Sequence, residues 1–378
     1  MRILVINSEF PPIGGGAGNA SAYLSRELVK LDQEVGVVTA RHGSLPILEH
    51  WEGVHVHRVP ALRSRPDRSG PLEQISFILG ACLWGLRICR NYRPDVILAF
   101  FGTPSGVVAL WLRLLLKIPY VVSLRGGDVP GFRPYDFAHY HRMIAPLLRI
   151  VWRRATAIVA NSAGLKKLAL AFDNESEISI IPNGVDIKRF TPAERSWEPT
   201  RMLFVGRLVH QKGLDLLVKA LRELRDLPWE LTIVGDGVER EDLQTSLDEY
   251  DLTERVHFVG WQRGDELLSH YQRANLFVLP SRHEGMPNVI LEAMACGLPV
   301  IASHIPGNEE LVLYEMTGLL FPSEDVDSLR GALSTLITNP NQRKTLGEAS
   351  RRRVVDNYTW RGTAEGYLKI FAHTGRSN

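Results

Sequence analysis

Short aliphatic and β-branched runs alternate with segments of helical period along the whole chain, and that alternation commits it to parallel sheets covered on both faces by helices. Strands are expected at 3–7, 35–39, 54–59, 96–100, 120–123, 157–160 and 178–181, with helices between them, notably 72–90 and 135–154. The pattern restarts at 202–205, 231–234, 256–259, 276–279 and 300–302. Pro182, Gly184, Pro192 and Pro199 crowd the interval between the two series, and no periodicity runs through it. Two doubly wound α/β domains are therefore expected, 1–180 and 181–357, with an amphipathic stretch at about 358–378 crossing back to cap the first. A chain of 378 residues has the length for two such cores.

Apolar residues make up 45% and charged residues 23%, the composition of a globular protein with large cores. The longest apolar stretch, 107–122, is broken by Arg113 and Lys117, so no uninterrupted run approaches the ~20 residues of a spanning helix and no membrane crossing is expected. The apolar start of the chain gives way at once to Ser8 and Glu9, unlike a secretory leader. Cys82, Cys89 and Cys296 are too few for a disulfide framework, and both features fit a cytoplasmic location. Zinc-finger spacing and interleaved aromatic and basic residues are missing, so nucleic acid is not an expected partner.

Net charge is only +2, but residues 1–180 hold 21 basic and 14 acidic side chains while the remainder holds 23 and 28. Between 63 and 154 the ratio is 14 to 5, nearly all arginine, which suits an anionic surface or substrate; a solvated exterior is the alternative.

Ligands of open parallel sheets lie outside the carboxyl ends of the strands, so the loops after strands carry the candidates. The first strand runs into Phe10-Pro11-Pro12-Ile13-Gly14-Gly15-Gly16-Ala17-Gly18-Asn19, and a helix is expected to start near Asn19. Glycine lets the backbone approach a ligand closely, and free N–H groups at a helix start suit an anion such as phosphate. In the second domain Gly206-Arg207 follows a strand and Lys212-Gly213 precedes a helix; a guanidinium fork and an ammonium in one loop can neutralise a diphosphate, or can simply be solvated. The segment from Leu279 through Arg282, His283, Glu284, Gly285, Met286, Pro287 and Asn288 to Glu292 reads as strand, loop and helix. Pro287 suits the first helical turn and Gly297 the helix end. Glu284 can accept hydrogen bonds from sugar hydroxyls, the helix start can face a diphosphate, and Glu292, about 8 Å further along the helix, can hold a ribose diol.

Pro11-Pro12 with Gly15-Gly16, Ile181-Pro182-Asn183-Gly184-Val185-Asp186, Gly206-Arg207 with Lys212-Gly213, Gly235-Asp236-Gly237, and Glu284 to Glu292 followed by Ala293-Met294-Ala295 and Gly297-Leu298-Pro299-Val300 occur in order over nearly the whole length. In this the chain resembles the retaining glycosyltransferases of family 4, also called group 1, which have the GT-B fold: two Rossmann-like doubly wound domains facing across a cleft. The resemblance implies a donor-binding second domain and an acceptor-binding first domain. Arg207 and Lys212 would hold the diphosphate of a nucleotide sugar, Glu284 the transferred sugar and Glu292 the ribose. Gly15 and Gly16 would touch phosphate or acceptor, Gly235, Gly285, Met286, Pro287 and Asn288 would line the donor, and Trp261 would lie near the base.

The resemblance further implies retention by same-face attack, with the leaving phosphate helping to deprotonate the acceptor, and neither metal nor cofactor. Asp325-Val326-Asp327 imitates a metal-binding carboxylate pair but reads as helix capping. Family members often carry a histidine after the strand at 120–123, where this chain has Leu124-Arg125-Gly126-Gly127-Asp128. Arg125 stays protonated and can only bind an anion or orient the donor, and Asp128 is the candidate for acceptor contact or proton removal, with a turn or cap role as its alternative. His139 and His141 read as surface or helix residues. A nucleotide-sugar epimerase of the same fold and a non-catalytic nucleotide-sugar-binding module remain as rivals. The donor expected is a UDP-sugar, with GDP-mannose as second choice, and the acceptor a hydroxyl compound, lipid-linked or anionic. Residues 110–116 and 143–152 mix apolar and arginine side chains as a peripheral membrane contact would, on the inner face of the membrane.

Overall fold

The computed structural model describes residues 1–65, 69–132 and 134–374, with side chains at 134–137 set aside. Arg68 and Arg133 of the arginine-rich stretch, and 375–378 of the expected returning segment, lie outside the described residues. Contacts divide the chain into two units, Met1–Gly184 with the segment from Trp360 onward, and Val185–Thr359.

In the first unit the order is β1 (Arg2–Ile6), α1 (Gly16–Lys30), β2 (Glu34–Ala40), β3 (Leu48–Trp51), β4 (Val54–Val59), α2 (Pro71–Tyr92), β5 (Val96–Phe100), α3 (Gly106–Leu116), β6 (Tyr120–Leu124), α4 (Pro134–Arg154), β7 (Ala157–Ala160), α5 (Ala163–Phe172) and β8 (Ile178–Ile180). The eight strands lie in the order 3-4-2-1-5-6-7-8. All neighbours are parallel except β3 and β4. Every residue of β5 is fully buried because helices cover both faces, which is why it is an unbroken apolar run without polar alternation. Cores on the two faces differ: α2, α3 and α4 contribute Phe77, Ala81, Val108, Leu112, Leu148 and Val151 to one, and α1 contributes Leu24 and Leu28 to the other.

The second unit runs β9 (Thr200–Val205), α6 (Leu214–Arg222), β10 (Trp229–Val234), α7 (Arg240–Glu249), β11 (Val256–Gly260), α8 (Gly264–Arg273), β12 (Leu276–Leu279), α9 (Asn288–Ala295), β13 (Val300–His304), β14 (Gly318–Pro322), α10 (Val326–Thr338) and α11 (Pro340–Asn357). Its strands lie in the order 11-10-9-12-13-14, all parallel. Leu214, Leu217, Val218 and Leu221 recur at helical spacing and are the buried face of α6. Gly297, at φ +73°, ends the α9 segment as expected, its N–H donating to Met294 O and that of Leu298 to Ala293 O. Asp325 caps α10 by accepting from Ser328 N at 2.9 Å.

A last helix, α12 (Trp360–Thr374), packs on the first unit: Trp360 stacks on Tyr23, Tyr367 Oη lies 2.6 Å from Ser123 Oγ, and Thr363 Oγ1 donates to Pro182 O. Two strands were not expected from the sequence. β3 alternates polar residues on a sheet edge and turns into β4 through Glu52 and Gly53, both at positive φ, a hairpin without an apolar run. β14 opens on Gly318, where a Cβ would come within 2.0 Å of Val300 O, so its glycine marks close pairing rather than a loop.

Candidate active site

In both sheets the strand order reverses direction at one place, between β1 and β5 and between β9 and β12, and the loops leaving those strands flank the crevice where such sheets bind ligands. In the second unit these loops are 206–213 and 280–287. They are pressed together: a Cβ on Gly213, itself at φ +66°, would meet Pro280 O at 2.1 Å. Arg282 N donates to Gln211 O and Gln211 Nε2 to His283 O, at 2.8 and 2.6 Å. Lys212 Nζ thereby reaches Glu284 Oε1 at 2.6 Å, both side chains nearly buried. Arg207 leaves the same loop, and among the described residues its guanidinium makes no hydrogen bond or ion pair.

Arg282, to which the sequence assigned no role, is the clamp under this pair. Its fork meets both oxygens of Asp215 at 2.8 and 2.9 Å, its Nε meets Glu324 at 2.6 Å, and Nη1 donates to His210 O. Burial pushes the Asp215 carboxyl up, but the Arg282 fork outweighs it and holds the group below its usual value. The signal was a buried arginine two residues before Glu284, indistinguishable in sequence from a solvated one.

Gly235 joins three loops: its N–H donates to Gly260 O at 2.8 Å, and at φ +133° it sits where a Cβ would strike Gly206 O. Trp261, 52% exposed, follows directly. Gly285, buried Met286 and Asn288 continue from Glu284. Pro287 departs from expectation. It has extended backbone, φ −76° and ψ 111°, and stands just outside α9, which starts at Asn288. Glu292 sits in the helix, where Tyr271 Oη donates to its Oε2 at 2.8 Å. Burial pushes the Glu292 carboxyl up to about 7, against the Tyr271 hydrogen bond and the charge of Arg189.

In the first unit α1 starts at Gly16, three residues before the expected position, and the Gly15 N–H already points to Glu9 Oε2 at 3.3 Å. Asp128 is 3% exposed, and its two oxygens accept from the backbone N–H groups of Gly102, Arg125 and Gly126 at 2.7, 3.0 and 3.1 Å. That is the turn role: the carboxylate ties the loop after β6 to the loop after β5. Burial raises its pKa against those bonds. Arg125 stacks on Phe100 at 4.1 Å and donates to Asn183 Oδ1 at 2.6 Å. His141 lies on α4, the helix role of the two expected, but is buried rather than at the surface, with Nε2 2.9 Å from Gly127 O of the loop before that helix. Asp128→Asn replaces an acceptor by an amide N–H₂ facing N–H donors, and urea unfolding should show a loss of about 2 kcal/mol.

Two family descriptions divide the chain: "Glycosyltransferase Family 4" matches residues 14–189 and "Glycosyl transferases group 1" matches 188–353. The GDP-mannose-dependent alpha-(1-6)-phosphatidylinositol monomannoside mannosyltransferase of Mycolicibacterium smegmatis is 35% identical over 95% of each chain. This chain belongs to the family 4, group 1 glycosyltransferases. Its fold is GT-B, shared with a sucrose-phosphate synthase from Thermosynechococcus elongatus at TM-score 0.89 and 23% identity, covering 100% of both chains. Anabaena Alr3699/HepE in complex with UDP-glucose matches at TM-score 0.80 and 19% identity over 99% of this chain and 100% of that one. The glycosyltransferase uses a nucleotide-sugar donor, and membership sets aside both the epimerase and the non-catalytic module. Within its second unit the structure brings Lys212 and Glu284 together and sets Arg207 on the same loop as Lys212.

Proposed function

We propose that this glycosyltransferase is a metal-independent, retaining hexosyltransferase that passes a sugar from a nucleotide diphosphate donor to a hydroxyl acceptor in glycolipid, polysaccharide or other glycoconjugate synthesis. The observation that carries this reading is the 2.6 Å Lys212–Glu284 pair beside an Arg207 with no partner among the described residues, at the switch point of the second sheet. Breaking the anomeric bond builds negative charge on the departing diphosphate and positive charge on the sugar ring. Two fixed cations stabilise the first. Glu284, already oriented by Lys212, accepts hydrogen bonds from the sugar hydroxyls, Glu292 accepts those of the ribose, and Trp261 lies against the base.

On the acceptor side, Arg125 and the loop anchored by Asp128 provide the surface. Both Asp128 oxygens are taken by backbone N–H groups, so the acceptor proton passes to the departing phosphate on the same face of the sugar, which retains anomeric configuration. UDP-sugar is the first donor proposed. GDP-mannose is the second reading, favoured by the relative at 35% identity whose name specifies it. Calorimetric titration with UDP, GDP and ADP separates the two: the preferred base binds at least tenfold more tightly. Proton NMR of the first product formed with chelator present checks retention and metal independence, and an inverted anomer or loss of turnover with chelator removes the proposal.

A further inference from the structure

α2 is apolar on two faces. Phe77, Ala81, Gly85 and Cys89 face the sheet, four residues apart. Leu72, Ile75, Leu79 and Leu83 form a second stripe that faces outward, with Leu72 75% and Leu83 73% exposed and Trp84 half-exposed beside them. By length and composition this helix is long and apolar enough to cross a membrane, although Glu73, Arg87 and Arg90 interrupt its apolar run. Its inner stripe is committed to the sheet, so it is a layer helix with one face left over.

The neighbouring helices on the same sheet face continue it. α3 exposes Trp111, Leu114 and Leu115, and α4 exposes Met143, Leu147 and Ile150 at helical spacing. Cations border the α2 and α4 stripes: Arg87 and Arg90 continue the outward line of α2, and Arg142 and Arg149 run beside that of α4, while Arg153 at its end is held by Asp173 and Glu175. The three helices together contain seven arginines and two carboxylates, and one of these, Glu73, is bound to the N–H groups of Gly70 and Ser64 at the α2 start. An apolar surface with a mainly basic rim is the signature of an interaction face. A second copy would place arginine on arginine, whereas phosphate headgroups over acyl chains match both halves of the pattern.

We propose that the outer face of α2, α3 and α4 docks on an anionic lipid bilayer, the aliphatic stripes and Trp84 and Trp111 entering the headgroup boundary and the arginines engaging lipid phosphates. α3 and α4 start directly after the loops that hold Gly102, Arg125 and Asp128, so a docked face keeps the acceptor-side loops close to the lipid surface. The inference stands independently of donor or acceptor identity.

Sedimentation of the full chain with vesicles of about one-third phosphatidylglycerol in phosphatidylcholine tests it, against phosphatidylcholine alone, at low and high salt. The expected result is binding to the anionic vesicles only, released by salt. Arg87→Gln with Arg90→Gln should weaken it on the order of thirty-fold, and Leu79→Ser with Leu83→Ser tenfold or more, with thermal melting and slow hydrolysis of free donor unchanged. Absence of binding at low salt, or binding that both double variants leave intact, overturns the inference. So does light scattering that shows a dimer abolished by the leucine variant while vesicles are ignored.

Discussion

Replacing Lys212 by alanine is expected to lower kcat/KM by two to three orders of magnitude and also to destabilise the second unit, whereas Arg207→Ala should cost a similar factor in rate and leave unfolding unchanged. The rate losses share one cause, removal of a fixed cation from where the diphosphate charge grows, worth about 3–4 kcal/mol of barrier. The stability losses differ because the resting partners differ. Lys212 neutralises Glu284 at 2.6 Å in a nearly buried pair, so its removal strands a carboxylate there, while Arg207 has no partner to strand among the described residues. Breaking a buried pair costs about 3–5 kcal/mol, and the slight exposure of both side chains brings the figure here to about 1–3 kcal/mol. The double variant Lys212→Ala, Glu284→Ala should recover most of that stability and none of the activity. Urea unfolding and steady-state kinetics on the same preparations check the contrast. Equal destabilisation by the Arg207 and Lys212 variants, or undiminished transfer by either, would show the diphosphate to be held elsewhere.

Much of this candidate site was legible because most of its residues lie on single strand-to-helix loops. Arg207 and Lys212 lie seven and two residues before Leu214, where α6 begins, and Glu284 lies four residues before Asn288, where α9 begins; such local spacings read directly from sequence. What could not be read is which loops meet. The Lys212–Glu284 bond joins residues 72 apart and exists because β9 and β12 are neighbours at the reversal of strand order. Arg282 was invisible for the same reason, since its partners come from elsewhere in the chain, Asp215 from the first turn of α6 and Glu324 from the turn after β14. Asp128 illustrates a different limit: a carboxylate after a glycine pair reads equally as acid or as turn anchor, and only the three N–H groups around it decide.

Buried strands such as β5 could be recognised as unbroken apolar runs; β3 could not, because an edge strand can alternate polar residues, and β14 could not, because its Leu-Leu-Phe run is short and bounded by Gly318 and Pro322. The outward stripe of α2 escaped for the opposite reason. A helix apolar all round reads as deeply buried, and only its place in the layer reveals that one face has no neighbour within the chain.

Glu292→Gln is expected to make the protein more stable at neutral pH and a poorer binder of donor. The folded protein holds the Glu292 proton up to about pH 7, while the unfolded chain releases it near 4.5. Between those values folding takes up a proton, so stability falls as pH rises across the window, and the whole cost is present above it. A shift of that size corresponds to up to about 3 kcal/mol, which glutamine, neutral at every pH and still able to accept from Tyr271 Oη, avoids. The stability curves of the two proteins should therefore coincide near pH 4.5 and separate towards pH 8, with the variant above. Donor binding runs the other way. Ribose hydroxyls donate to the carboxylate and favour its charged form, so wild-type affinity for a nucleotide sugar should rise as pH approaches 7 and then level, with proton release seen as a buffer-dependent binding enthalpy. The variant should bind about thirty-fold more weakly, because a charge-assisted acceptor is lost, and without that pH dependence. Parallel stability curves, or an affinity indifferent to the substitution, would place the ribose away from α9. The opposed signs follow from one arrangement: among the described residues the buried Glu292 carboxyl has the Tyr271 hydrogen bond alone in place of water, so charging it costs stability unless a ligand's hydroxyls donate to it.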